Sequence, residues 1–195
     1  MTTWSDPTIP AATTPVPPEG VPAALEARFP ALAGHMKAPR PRRVFVDAPA
    51  DIFLFLVDHA CDVLGFDRLV TITGMDEKDA FAALYSFGHP NGCLLNVRLR
   101  VPRDAPRIPT LTARFPGGAN YERELEDLLG FEVVGLAPGR RYPLPDDWPL
   151  DEKPLRKDWK PSAATATPVA TVPASPAAKP SVPAAGSPAA PNAGK

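Results

Sequence analysis

Phe81-Ala82-Ala83-Leu84-Tyr85-Ser86-Phe87, then His89-Pro90-Asn91-Gly92, then Leu95-Asn96-Val97-Arg98-Leu99-Arg100-Val101 sets the architecture of this chain. Phe81, Ala83, Tyr85 and Phe87 alternate with smaller or polar residues, and Leu95, Val97, Leu99 and Val101 alternate with Asn96, Arg98 and Arg100. A period of two sends alternate side chains to opposite faces, so the two runs predict paired strands with one buried face. Asn91-Gly92 between them readily takes the positive φ angles of a tight hairpin turn.

Upstream, Arg68 to Thr73 is short and rich in β-branched residues, a strand closed by a Gly74-Met75-Asp76 turn and followed by an acidic loop. Earlier still, Ile52, Phe53, Leu56, Ala60, Val63 and Leu64 recur at spacings of three and four, while Asp51, Asp58 and Asp62 share another face. That is an amphipathic helix, N-capped by Asp47, with Pro49 in its first turn and Gly65 as its stop. Val44-Phe45-Val46 before it forms a short strand. Downstream, Pro102, Pro106 and Pro109 make Val101 to Pro109 a connector that leaves the sheet. Asn120 then caps a helix from Tyr121 to Leu129 with Tyr121, Leu125, Leu128 and Leu129 as its apolar stripe, Glu122 and Glu124 near its positive end, and Gly130 past its end. Phe131 to Val134 is a last strand. The fold class is α+β: a small mixed sheet with packed helices, an extended irregular C-terminal coil and disordered termini.

A chain of 195 residues accommodates one domain of ordinary size. Of its 28 prolines, six lie in the first 22 residues and eight in the last 35, which makes long ordered structure at either end improbable. Met1 to about Val21 shows no period at all. The organisation expected is a flexible Pro-rich arm over residues 1–40, one domain over 41–160 and a disordered tail over 161–195. Residues 162–195 hold twelve alanines and seven prolines and only Lys179 and Lys195 as charges. Such a tract has nothing large to bury against an ordering entropy of roughly 1–2 kcal/mol per residue. Beyond Gly135, prolines at 138, 143, 145, 149 and 154 rule out regular structure, yet Trp148, Leu150, Leu155 and Trp159 are large and apolar. A coil of that kind lies down on the sheet's own edge or on another protein.

Several function classes drop out. A net charge of −1 argues against nucleic-acid binding through an overall field. The longest apolar run, Ile52 to Val57, falls far short of the ~20 residues that cross a bilayer, and no basic stretch with an apolar core marks a secretory signal. Cys61 and Cys93 lack ligand spacing and read as buried thiols in a reduced setting rather than nucleophiles. There is no phosphate loop, dinucleotide glycine fingerprint or zinc helix, and His35, His59 and His89 are scattered. No catalytic, cofactor-binding or metal residue is therefore assigned. Gly74-Met75-Asp76-Glu77 reads as a solvated acidic turn. Lys37, Arg40, Arg42 and Arg43 read as a charged linker ahead of anionic lipid or partner binding. Glu122 and Glu126 could pair for acid–base work, but no nucleophile, histidine or metal motif accompanies them. Arg123 and Arg156, set against carboxylates of a neighbour, suit a protein interface better.

The chain resembles the 30 kDa subunit family of NADH–quinone oxidoreductase, respiratory complex I. Ile108-Pro109-Thr110-Leu111, Pro116-Gly117-Gly118-Ala119-Asn120-Tyr121-Glu122-Arg123-Glu124 and Asp127-Leu128-Leu129-Gly130-Phe131 carry the resemblance, with Leu144-Pro145-Asp146-Asp147-Trp148 and Pro154-Leu155-Arg156-Lys157-Asp158-Trp159. It covers residues 44–160. Family members usually read Phe-Gly-Ile after the helix and then Gly-His-Pro, where this chain has Leu129-Gly130-Phe131 and Gly135-Leu136-Ala137-Pro138. That loosening leans toward the relatives in membrane-bound nickel–iron hydrogenases and formate hydrogenlyase. Either branch implies a protein without its own cofactor, docked on the large 49 kDa-like or hydrogenase-like subunit beside the quinone pocket or its nickel–iron counterpart. Iron–sulfur subunits would be its neighbours, with the complex at the cytoplasmic side of the membrane. The contacts implied are Asn120, Tyr121, Glu122, Arg123, Glu124, Asp127, Trp148, Pro154, Leu155, Arg156, Lys157, Asp158 and Trp159.

Overall fold

The alternation of Phe81–Phe87 and Leu95–Val101 becomes the central hairpin of a five-stranded sheet in a computed structural model that describes residues 20–162. The elements run α1 (Val21–Arg28), β1 (Met36–Arg40), β2 (Arg43–Ala48), α2 (Phe53–Asp62), β3 (Arg68–Asp76), β4 (Ala80–Gly88), β5 (Leu94–Pro102), β6 (Arg107–Pro109), α3 (Ala119–Leu128) and β7 (Glu132–Val134). The main sheet has the order β1-β2-β5-β4-β3, with β2 parallel to β5 and every other pair antiparallel. Phe81, Ala83, Tyr85 and Phe87 stand opposite Val101, Leu99, Val97 and Leu95, and all eight are buried. Mixed sheet, packed helices and irregular coil together make the α+β class expected.

The core lies under one face. Phe53, Leu56, Val57 and Ala60 of α2 cover it, with the Phe53 ring 4.7 Å from that of Tyr85. Gly65, at φ +78°, ends that helical segment, and the N–H of Phe66 closes back on the Ala60 carbonyl at 3.0 Å. Asp47 is not the N-cap of α2. It lies in β2, its carboxylate pairs with Arg98 across the sheet, and the helix starts six residues later without a side-chain cap.

Other boundaries shift for identifiable reasons. The 21–40 part of the expected arm is ordered: Val21, Leu25, Phe29 and Leu32 are buried in the core, and β1 pairs with β2. Pro22 sits in the first turn of α1, where a missing N–H breaks no helical bond, so proline content there does not oppose a helix. The expected arm over residues 1–19 and tail over 163–195 lie outside the described residues. Gly74-Met75-Asp76 is not a turn but the end of β3, paired with Ala83, Ala82 and Phe81. At the β4–β5 connection only Gly92 takes a positive φ, +83°. Asn91 acts there through its side chain, which accepts the Cys93 N–H at 2.9 Å. The proline connector contains β6, which leaves the main sheet to pair in parallel with β7. Asn120 is inside α3 rather than capping it, because the 3₁₀ turn Pro116–Gly118 runs directly into the helix.

Candidate functional site

Asp76 organises the end of the sheet that receives the coil. Alternation along β3 from Ile72 through Gly74 places it on the core face, where its side chain is 1% exposed. Its Oδ1 accepts the Lys78 N–H at 2.8 Å and an Arg103 guanidinium N–H at 2.6 Å, and its Oδ2 accepts the Lys157 N–H at 2.9 Å. Burial alone would raise this carboxyl, but the hydrogen bonds from Lys157, Arg103 and Lys78 outweigh it and hold the pKa at about 2. Arg103 also donates to Asp158 at 2.6 Å and lies over the Phe81 ring, 4.6 Å from its centroid. The acidic turn expected to be solvated is thus the anchor of a clamp.

The coil then caps α3. Helix C-termini leave carbonyls unpaired and carry partial negative charge. Here Lys153 Nζ donates to the Glu126 carbonyl at 2.9 Å, the Leu155 N–H to that of Leu128 at 3.1 Å, and Arg156 Nε to that of Leu129 at 2.7 Å. Arg156 faces the Phe81 ring at 5.1 Å, alongside Arg103. Gly130, at φ +77°, lies so close to Arg156 that a Cβ there would collide with the guanidinium. Further back along the coil, Arg141 donates to Asp127 Oδ1 at 2.9 Å and to the Trp148 carbonyl at 2.6 Å. Trp148 and Trp159 pack at 6.3 Å, and both indole N–H groups donate to Glu152.

Glu122 is fully buried. Its carboxylate accepts the Thr110 hydroxyl at 2.6 Å and the Leu111 N–H at 2.7 Å, tying α3 to the segment after β6. The structure therefore gathers the thirteen residues named from the sequence, and it gives several of them partners within the chain. Glu122 and Asp127 are buried; Arg156, Lys157, Asp158, Trp148 and Trp159 hold the clamp together. Arg123 lies against Gly139 and donates to the Ala137 carbonyl at 3.3 Å. Asn120, Tyr121, Glu124, Pro154 and Leu155 retain outward surface, Leu155 being 55% exposed and Leu150, five positions before it, 75%. Asp76, Arg103 and Arg141 escape the sequence reading. For Asp76, the alternation from Ile72 is the signal that could have found it.

His59, His89, the thiols and Glu126 are each held by packing or by structural hydrogen bonds. His59 packs edge-on against Phe29 at 5.6 Å, and burial together with Arg28 lowers its pKa. His89 packs against Phe66 and accepts the Asn91 N–H at its Nδ1. Burial pushes the Cys61 thiol up to about 11 despite nearby Arg114, and the Cys93 thiol upward as well. Glu126 is raised by burial and accepts the Val133 N–H. Among the described residues, no three His, Cys, Asp or Glu side chains converge as a metal site requires, and no helix is long and apolar enough to cross a membrane.

A hairpin-centred α+β sheet whose own irregular coil is bolted to its end defines a clamped sheet domain, with Asp76, Arg103, Asp127, Arg141 and Arg156 engaged in the clamp. The chain belongs to the family described as respiratory-chain NADH dehydrogenase, 30 Kd subunit, whose family model matches residues 44–165. It is similar to hydrogenase-4 component G of Escherichia coli, 31% identical over 148 residues, 72% of this chain and 26% of that one. With formate hydrogenlyase subunit 5 of the same organism it shares 39% over 95 residues, 46% of this chain and 17% of that one. It therefore spans only about a quarter or less of these two relatives. A subunit of the NADH-quinone oxidoreductase of Moorella thermoacetica is 32% identical over 115 residues, 57% of this chain and 76% of that one. Among solved structures, a chain of the membrane-bound sulfane sulfur reductase, an archaeal respiratory membrane complex, superposes with a TM-score of 0.61 at 25% identity, covering 73% of this chain and 85% of that chain. These relatives are named as subunits or components of larger assemblies.

Proposed function

We propose that the chain is a non-catalytic docking subunit of a membrane-associated redox complex, seated on the large subunit and beside iron–sulfur subunits at the cytoplasmic face. One observation carries this reading: the Pro154–Trp159 segment bonds the Arg156 side chain and the Leu155 main chain to the end of α3, and the Lys157 main chain to Asp76, yet turns the Leu155 side chain outward. Leu155 borders a groove of 200 Å³ between the Thr71–Gly74 edge of β3 and the Tyr121 and Leu128 side of α3. An apolar side chain held out by a clamped segment beside a sheet edge is suited to a protein partner. Tyr121, Glu124, Leu150, Pro154 and Leu155 form the contact; Glu122, Asp127 and Arg156 shape it from within.

A hydrogenase-type large subunit is the preferred partner, supported by the likeness to hydrogenase-4 component G and formate hydrogenlyase subunit 5. The second reading, the 30 kDa subunit of a quinone reductase, draws on the larger share of the Moorella protein that is matched. Purification of the tagged chain from native membranes, with mass spectrometry of the bound proteins and metal analysis, tests both. Nickel in the co-purifying large subunit supports the first and FMN-bearing partners the second; recovery of the chain alone contradicts docking. Deleting residues 163–195 leaves recovery unchanged on this account, whereas a Pro-rich adaptor would lose its partner.

A further inference from the structure

The β1–β2 hairpin concentrates four cations, and its one carboxylate, that of Asp47, pairs with Arg98 instead. Lys37, Arg40, Arg42 and Arg43 are all exposed, and none of them enters an ion pair among the described residues. The contrast lies with Arg98, Arg100, Arg103, Arg107, Arg114 and Arg141, each of which has a carboxylate within ion-pair distance. Arg40 and Arg43 stand directly opposite each other across the ladder, a like-charge pairing that opposes the hairpin. Arg42 holds φ +62° at its tip. The segments outside the described residues bring only Asp6 and Glu19, too few to neutralise four cations.

We infer that this hairpin binds an extended acidic segment of a partner protein. Between the hairpin and the start of α1 lies a cleft of 480 Å³, with Pro22, Pro39 and Pro41 as firm walls and Arg40, Arg42 and Arg43 around it. A concave, proline-walled cleft admits a narrow peptide whose carboxylates reach the guanidinium groups, and guanidinium binds carboxylate in a two-pronged fashion. A bilayer is flat, and Ala38, Pro39 and Pro41 offer no large apolar side chain to enter it. The site is distinct from the docking surface proposed above and does not rest on it: β1 forms one edge of the sheet, and β3, beside α3 and the coil, forms the other.

The test uses the full chain. A labelled glutamate-rich peptide is titrated at low salt and at 0.15 M ionic strength, where screening acts within about 8 Å, while phosphatidylserine–phosphatidylcholine vesicles are titrated in parallel. The peptide is expected to bind, to shift the amide resonances of residues 36–46, and to weaken with salt. Combined R40E, R42E and R43E changes should weaken it about tenfold or more, whereas R68E on the opposite edge should change it less than twofold. The gentler R40Q/R43Q pair gives the same direction with a smaller loss and keeps the test intact if the reversed variant misfolds. Affinity unmoved by these changes, an equal effect of R68E, or hairpin binding to vesicles but not to peptide would each overturn the inference.

Discussion

The Asp76 carboxylate accepts the main-chain N–H of Lys157 at 2.9 Å, a bond between residues 81 positions apart. With Arg103 on its other oxygen, Asp76 fixes where the coil ends. Replacing it by Asn removes the charge and one acceptor from a buried group, at a cost of roughly 2–4 kcal/mol. Urea unfolding of D76N should show that loss, and limited proteolysis should cut residues 136–160 faster. Unchanged stability and proteolysis would contradict the clamp.

The same group sets a pH dependence. Its folded pKa is depressed to about 2, from an ordinary value of 3.8, so its contribution is fully present above pH 4 and is lost as pH falls toward 2. Unfolding midpoints between pH 5 and 2 should therefore fall more steeply for the native chain than for D76N.

Glu122 belongs to the fold rather than to an outer contact. E122A leaves the Leu111 N–H and the Thr110 hydroxyl without their acceptor, and about 2–4 kcal/mol of stability should be lost, with E122Q intermediate. A variant with native stability but defective assembly would instead place Glu122 at the partner.

The central hairpin, α2 and the Gly65 and Gly130 stops are legible in the sequence because periodicity and glycine stereochemistry are local. What escapes is decided by distant residues. Asp76 looks like a solvated loop acid until Arg103 and the Lys157 N–H arrive from 27 and 81 positions away. Proline-rich composition obscures α1, although Val21 and Leu25 keep its buried face beside Pro22, and Phe29 and Leu32 continue the burial past its end. That the α3 and coil motifs meet is legible, but not the division of labour between them: Arg156 serves the helix end while Leu155 beside it faces out.

Gly130 tests the seat of Arg156 directly. G130A places a Cβ at φ +77° and against the guanidinium, so a loss of about 1–2 kcal/mol from the backbone alone is expected. The Phe81–Arg156 contact should loosen in the same variant, visible as altered Phe81 ring resonances.

The thiols provide a separate check on burial. With Cys61 at about 11 and Cys93 also raised, a disulfide reagent at pH 8 should react slowly with the folded chain and promptly once urea is added. Fast reaction of Cys61 in the folded chain would contradict its packing.

The most direct measurement compares the stability of the free chain with assembly for L150E/L155E. Both side chains face outward, so the free variant should unfold within about 0.5 kcal/mol of the native chain. Its recovery in the membrane-bound complex should fall at least about tenfold. Normal assembly of this doubly charged surface would contradict the claim that the clamped coil presents the partner's seat.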